Sequence, residues 1–153
     1  MNIILPDLVE LKKQHRENIT VDVLYEKEGF KTISNLLIKT GKDLYSIGFE
    51  EIMFEKMDAI FMQNFFRREK EKKITEYNIV SKGTKFLYKS PHLHYKFIDT
   101  KYFTPAPFFI FSDYVAFHIW EPFTIILIKS KGLSGAFRKY HSLLWKIAKN
   151  RKG

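Results

Sequence analysis

The stretch of sequence that carries most of the fold is residues 108–129, which read FFIFSDYVAFHIWEPFTIILIK. It holds three runs of aromatic and β-branched residues, separated by the turn sequences Ser112-Asp113 and Glu121-Pro122. Two-residue connections of this kind join neighbouring antiparallel strands, because they are too short for a crossover. The stretch therefore predicts a β-meander with strands at 108–111, 114–120 and 123–129.

Upstream of the meander, strand-like and helix-like patterns alternate. Runs typical of strands lie at 19–25, 44–47, 74–80 and 94–98. Helical periodicity predicts helices over about 28–39 and about 51–72. The second helix has an apolar stripe that is expected to be buried: Phe54, Met57, Ile60, Phe61 and Phe65.

A helix is also expected near each end of the chain. Asp7 can cap a short helix that runs to about Arg16, and Ser134 is expected to cap the closing helix. Four residues of the closing helix share one face: Phe137, Tyr140, Leu144 and Ile147. The whole order predicts one α/β domain over 1–153, with an N-terminal helix within 1–18 and an α/β core at 19–150. In that core, a mixed sheet with a C-terminal meander is flanked by helices.

Composition excludes several classes of protein. Among 153 residues, 45% are hydrophobic and 28% are charged, which excludes a disordered chain. The absence of cysteine excludes disulfide scaffolds, thiol catalysis and cysteine-ligated zinc. The N-terminus lacks the pattern of a signal peptide, and the longest strongly apolar run, 123–128, is too short to span a bilayer. We therefore expect a cytoplasmic protein that does not associate with membranes.

The net charge is +9, and it rises along the chain. Residues 1–50 carry 7 basic and 8 acidic side chains, 51–100 carry 10 and 7, and 101–153 carry 9 and 2. This imbalance indicates either an anionic partner or the lysine-rich composition of a low-GC genome. The basic residues that would contact a nucleic acid are Arg67, Arg68, Lys70, Lys72, Lys73, Lys146, Lys149 and Arg151.

No motif for phosphate, dinucleotide or metal-hydrolase chemistry is present, and no cofactor is expected. His92 and His94 would face the same side of an extended stretch, where they are either metal ligands or an ordinary exposed pair; no metal site is expected. The sequence His94-Tyr95-Lys96 matches the start of the phospholipase D signature His-x-Lys-x4-Asp. Because Lys101 stands where the signature has Asp, the match is a chance one.

Glu50 and Glu51 follow a strand end, where open α/β sheets usually bind ligands. They could accept hydrogen bonds from a polyol, or they could simply stabilise the start of the next helix through its dipole. The large aromatic residues Tyr114, Trp120 and Trp145 are expected to pack in the structure and not to serve as stacking platforms.

The closing segment 136–148, AFRKYHSLLWKIA, resembles the terminal helix of the effector domain in TrmB-like archaeal transcriptional regulators. The likeness continues upstream, in order, through 23–33, 44–48 and the proline-led hairpin at 107–115, and it covers about residues 8–149. It implies a phospholipase D-like α/β sandwich. The segment before the first strand is too short for the winged helix-turn-helix that reads DNA in these regulators, so we expect either a naturally truncated sensor or a fragment of a longer regulator.

The resemblance also implies a loss of catalysis. Alignment on the turn aspartate puts the three signature positions at Ala106, Phe108 and Asp113, so that alanine replaces the nucleophile and phenylalanine replaces the phosphate-binding cation. Two half-sites meet across a twofold axis in phospholipase D enzymes, and a one-repeat chain would restore that arrangement as a homodimer.

These inferences predict a non-catalytic ligand-sensing and dimerisation domain with no catalytic residues, in which DNA is contacted only indirectly or through the basic patches. The expected ligand is a small metabolite, such as a sugar or sugar phosphate, bound near Gly48, Phe49, Glu50 and Glu51. The alternatives are a basic nucleic-acid-binding protein and, more remotely, a degenerate phosphodiesterase.

Overall fold

The computed structural model describes residues 18–49, 51–103 and 106–150. The helix expected at about 7–16 lies outside these ranges. Within them, seven strands form one sheet: β1 (Thr20–Tyr25), β2 (Leu44–Ile47), β3 (Glu76–Ser81), β4 (Leu93–Ile98), β5 (Phe108–Phe111), β6 (Tyr114–Trp120) and β7 (Phe123–Lys129). The helices are α1 (Glu26–Thr40), α2 (Ile52–Lys56), α3 (Ala59–Glu71) and α4 (Lys131–Ile147), with a 3₁₀ turn at Thr100–Tyr102.

The sheet is mixed, in the strand order β1-β7-β6-β5-β2-β3-β4. Strands β2, β3 and β4 are parallel, and the other neighbours are antiparallel. The β5–β7 meander has the bounds that its turn sequences predict, because each two-residue turn leaves only one register. The predicted fold class, an α/β sandwich with a mixed sheet and a C-terminal meander flanked by helices, is confirmed.

The two faces of the sheet are covered to different extents. On one face, α1 and α3 bury the main core around Phe30, which contacts Phe65 and Phe109 edge-on or tilted. On the other face, α4 packs on β2, β5 and β6. The same face of β1 remains open, since Val21 is 60% exposed and Val23 is 48% exposed.

The expected single helix over 51–72 is wrong: the segment forms two helices, α2 and α3. Met57 is extended (φ −114°, ψ 149°), and the carboxylate of Asp58 accepts a hydrogen bond from the backbone N–H of Phe61 at 2.7 Å. An aspartate at this position starts a new helix instead of continuing the old one. The buried face of α3 therefore differs from the expected apolar stripe: Ile60 is 73% exposed, and Met62 is buried instead.

The expected cap of the closing helix is also wrong. The Ser130 hydroxyl accepts a hydrogen bond from the backbone N–H of Leu133 at 3.0 Å. Ser130 is therefore the N-cap of α4, four residues before the predicted cap Ser134. Ser134 is buried inside the helix. The face of α4 turned to the sheet carries Ser134 and His141, whereas Tyr140 and Ile147 of the predicted face are exposed. In the described ranges, no helix combines the length and apolar character needed to cross a membrane.

Candidate functional site

The three positions aligned with the phospholipase D signature do not converge on a catalytic site. The Phe108 ring packs against Phe117 and Phe137, with centroid distances of 5.7 and 5.2 Å. Ala106 is exposed just before β5, whereas Asp113 lies beyond the other end of that strand, in an open polar cleft with Arg138. Neither a nucleophile nor a phosphate-binding cation is therefore supplied at these positions.

An open, largely apolar pocket of about 70 Å³ lies on the opposite face of the sheet, between β3, the helices α2 and α3, and residues 86–88. Two polar side chains, Glu76 and Asn78, line it together with Met53, Met62, Val80 and Leu87. Aromatic rings form most of the rest of the lining: Phe30, Phe49, Phe54, Phe65, Phe66, Phe86, Tyr88, Tyr95 and Phe109. A concave apolar pocket with a few convergent polar groups is the usual form of a small-molecule site.

The segment after β2 shapes one side of this pocket. Gly48 adopts φ +91°, and a Cβ added there would lie 3.2 Å from Cβ of Pro107, so only glycine fits the turn. The turn places the Phe49 ring on Phe109, at a centroid distance of 4.2 Å. Glu51 accepts a hydrogen bond from the backbone N–H of Lys85 at 3.0 Å, which holds the segment that carries Phe86.

Gly48, Phe49 and Glu51 of the predicted ligand site thus lie together beside the pocket, and Glu50 lies outside the described residues. Of these residues, only Phe49 lines the pocket. The Glu51 carboxylate, one of the predicted polyol acceptors, already accepts the backbone N–H of Lys85.

A buried polar network lies under the pocket. Ser46 donates to the Asn78 side-chain oxygen, and the Asn78 amide donates to Glu76 Oε1 at 3.1 Å. The carboxyl groups of Glu76 and Glu69 are close enough for each to affect the ionisation of the other. Both residues are buried, with Glu69 fully inaccessible to solvent.

Two carboxyl groups can share a hydrogen bond only when one of them keeps its proton. Burial raises the pKa of the Glu69 carboxyl to about 7. Burial, followed by the nearby charge of Glu69, raises the pKa of Glu76 well above its ordinary value. The pair is therefore a protonated or partly protonated acid pair near neutral pH.

The two histidines that were expected on one side lie on opposite faces of the sheet. His92 precedes β4 and lies under α3, where its Nε2 is 3.4 Å from Glu69 Oε1. Burial lowers the pKa of the His92 imidazole. His94 is exposed and stacks on Tyr77, on the α4 face. In the part of the chain that is described, no three His, Asp or Glu side chains form a metal-binding group.

Sequence reasoning missed Glu69, Glu76 and His118. His118 is fully buried against Phe49 and Phe109, and burial lowers the pKa of its imidazole to about 3, so it is neutral at physiological pH. A signal for Glu69 was available, because Met62, Phe65, Phe66 and Glu69 share one helical face. The partner carboxyl on β3 had no such local signal.

The candidate nucleic-acid contacts do not form one surface. The cluster at 67–73 lies at the C-terminal end of α3, where Arg67 pairs with Glu71 and Arg68 donates to Asn35. Lys146 and Lys149 lie at the end of α4, on the opposite face of the sheet. Arg151 lies outside the described residues.

The large aromatics pack within the protein, as predicted. Tyr114 stacks on Phe111 at 5.4 Å, Trp120 lies tilted on Phe123 at 5.5 Å, and Trp145 stacks on His141 at 5.8 Å, all measured between ring centroids. All three side chains are partly buried, and each has a ring partner within the protein.

No family model matches the sequence, and no curated protein matches it. Solved structures do. TrmBL2, an archaeal chromatin protein whose structure shows a novel mode of DNA binding, is similar over 98% of this chain and 62% of its own, at 14% identity and a TM-score of 0.60. The present chain therefore spans less than two thirds of TrmBL2.

Two other similar structures are NucT from Helicobacter pylori and Nuc, a phospholipase D family member from Salmonella typhimurium. NucT is 7% identical with a TM-score of 0.61, and Nuc is 8% identical with a TM-score of 0.59. The likeness covers 88% and 89% of this chain, and 100% of each neighbour. At these identities the likeness concerns the fold, and this chain has the fold of phospholipase D-like proteins and of TrmBL2.

Proposed function

We propose that this chain is a non-catalytic, ligand-sensing and dimerisation domain of a TrmB-like transcription regulator. The observation that carries the proposal is a contrast between two parts of one scaffold. The signature positions hold Ala106 and a packed Phe108, whereas the other face of the sheet holds an open aromatic pocket. A scaffold with this distribution of groups serves recognition and not hydrolysis.

The His94-x-Lys96 sequence does not supply the missing groups. The Lys96 ammonium donates to the backbone carbonyl of Trp145 at 3.0 Å and lies 4.8 Å from the ring centroid of the same residue. The Lys96 ammonium therefore satisfies a carbonyl in the last turn of α4, where a cation also interacts favourably with the helix dipole.

The composition of the pocket narrows the expected ligand. Among the described residues, no lysine or arginine lines the pocket, so a sugar phosphate would lose the hydration of its phosphate without a compensating charge. Glu76 and Asn78 offer hydrogen bonds, and the aromatic rings offer apolar contact. A ligand with an apolar body and one polar group fits this lining better than a free sugar does.

The dimerisation half of the proposal rests on the open sheet face. Phe108, Phe117, Ile126 and Val23 form one row across β5, β6, β7 and β1. The row starts at a degenerate signature position and ends at an exposed valine. We assign a second copy of this chain to the β1 end of this row, because α4 covers the Phe108 end and leaves Val21 and Val23 exposed.

The absence of catalysis is tested with bis(p-nitrophenyl) phosphate as a generic phosphodiester. We expect no turnover above the buffer blank, and no change in that result for the His94→Ala variant. Turnover that co-purifies with the wild-type protein and disappears in His94→Ala would overturn the proposal.

DNA binding is the second candidate function. TrmBL2 is a chromatin protein that binds DNA, and Lys70, Lys72 and Lys73 of the present chain are exposed without an ion pair among the described residues. The test is a mobility shift with non-specific duplex at about 50 and 200 mM salt, where phosphate contacts lose strength steeply. Binding at the higher salt that is lost when these three lysines become glutamine would favour this function.

A further inference from the structure

We propose that the aromatic pocket selects a small organic cation, such as an alkylammonium group, whose charge is met by Glu76 in the pocket lining, with the neighbouring carboxyl of Glu69 behind it. The inference rests on the proposed function, because it names the ligand class of the same pocket. It is carried by three independent features of the site: the ring faces, the acceptors without donors, and the lack of a protein cation.

The first feature is the arrangement of aromatic faces. The rings of Phe66 and Tyr88 stack at a centroid distance of 4.4 Å, and Phe54 and Phe86 meet edge-on at 5.1 Å. These rings line the pocket together with Tyr95. Aromatic rings that line a binding site attract a cation through their quadrupoles, and weakly hydrated alkylammonium groups benefit most.

The second feature is an excess of hydrogen-bond acceptors. Glu76 Oε1 receives the amide of Asn78, but neither oxygen of Glu69 has a donor elsewhere among the described residues. One shared proton between the two carboxyl groups leaves further lone pairs unpaired in a buried position. Unsatisfied buried acceptors are costly, and a positive charge bound in the pocket beside Glu76 would offset part of that cost.

The third feature is the absence of a strong cation from the protein. No lysine or arginine forms an ion pair with Glu69 or Glu76 in the described ranges, and the nearest basic group is His92, 3.4 Å from Glu69. Burial lowers the pKa of His92, so it is a poor source of positive charge at neutral pH. The other polar groups that face the pair are Asn78 and the Tyr95 phenol, which donates to the carbonyl of Tyr88.

A metal ion is a less suitable occupant than an organic cation. Glu69, Glu76 and His92 do not form a metal-binding group, and among the described residues the pocket lining is aromatic and aliphatic apart from Glu76 and Asn78. Hard divalent cations require several oxygen ligands in a defined geometry. An organic cation needs only the ring faces and one carboxylate.

The test compares choline with its uncharged isostere 3,3-dimethylbutan-1-ol, by calorimetry at pH 8. We expect choline to bind at least about tenfold more tightly, because only its charged head meets the carboxyl pair and the ring faces. In Glu76→Gln this preference should fall by at least about threefold, and the part that the ring faces supply should remain. The exposed Glu71→Gln, on the same helix as Glu69, is the matched control and should retain it.

Equal affinity for the two compounds, no choline binding at tens of millimolar, or an unchanged preference in Glu76→Gln would each overturn the inference. If Glu76→Gln does not fold, Glu69→Gln replaces it, with the same expected loss of preference. Binding of an uncharged compound in this pocket, without choline binding, would remove the cation and leave the proposed ligand-sensing function standing.

Discussion

Glu69 occupies a place in α3 where the spacing of Met62, Phe65 and Phe66 would favour an apolar residue. Its carboxyl is buried, and burial raises its pKa to about 7. The folded protein therefore binds more protons than the unfolded chain between about pH 4.5 and 7. The contribution of Glu69 to stability must fall as the pH rises through that window.

At the residue scale, this argument predicts the behaviour of Glu69→Gln. The glutamine side chain cannot ionise, so the variant keeps the stability that wild type loses as Glu69 ionises. Its free energy of unfolding relative to wild type should therefore rise by on the order of 3 kcal/mol between pH 4 and pH 8. Urea denaturation across this range measures the difference. The exposed Glu71→Gln should show a nearly constant difference, and a difference for Glu69→Gln that stays flat or falls with pH would contradict the assignment.

At the scale of elements, α4 shows where sequence patterns are sufficient and where they are not. Its existence follows from its periodicity, but Ser130 and Ser134 are equally good cap residues by type. The choice depends on where β7 ends, and β7 pairs up to Lys129 with Tyr114. The division between α2 and α3 has the same origin, because Asp58 interrupts a periodicity that would otherwise continue.

The candidate site was even harder to predict from the sequence than the helix boundaries. The meander and the degenerate positions at Ala106 and Phe108 could be found in the sequence, because they depend on neighbouring residues. The carboxyl pair could not, because Glu69 lies on α3 and Glu76 on β3, and only the packing of α3 on the sheet brings them together. The pocket depends in addition on the segment held by Glu51 and Lys85, a contact between residues 34 positions apart.

A pair of serine variants tests the observed start of α4. Ser130→Ala should lower the free energy of unfolding by about 1 kcal/mol, since it removes the acceptor of the Leu133 N–H. Ser134→Ala should cost less, because its hydroxyl donates only to the carbonyl of Lys131 within the helix, at 3.2 Å. Chemical denaturation compares the two, and a larger loss for Ser134→Ala would place the start of the helix where the sequence predicted it.

At the scale of the whole molecule, the helices leave the two faces of the sheet unequal. α4 covers β2, β5 and β6 and leaves β1 open, so Val21 and Val23 are exposed on an edge strand. An exposed apolar edge strand is a liability for a monomer and a natural interface for an oligomer. This asymmetry supports the proposed second copy on that face.

The dimer is tested with a pair of charge substitutions. Val23→Glu should convert the dimer to a monomer in light scattering at micromolar concentration, because it buries a carboxylate in the proposed interface. Ile60→Glu places the same change at a site that is 73% exposed on α3, on the other face, and should leave the dimer intact. A wild-type monomer, or a dimer that survives Val23→Glu, would contradict the assigned interface.

The claim on which the account depends is that the aromatic pocket is a recognition site, and methionine methyl NMR tests it most directly. Of the four methionines, Met53 and Met62 line the pocket, whereas Met57 is buried in the core without lining it. Choline should shift the Met53 and Met62 signals saturably and leave Met57 in place, and Phe86→Ala should weaken the response while Tyr102→Ala does not. If choline, its uncharged isostere, glucose and glucose 6-phosphate all leave Met53 and Met62 unmoved, or move Met57 equally, the pocket is not the recognition site.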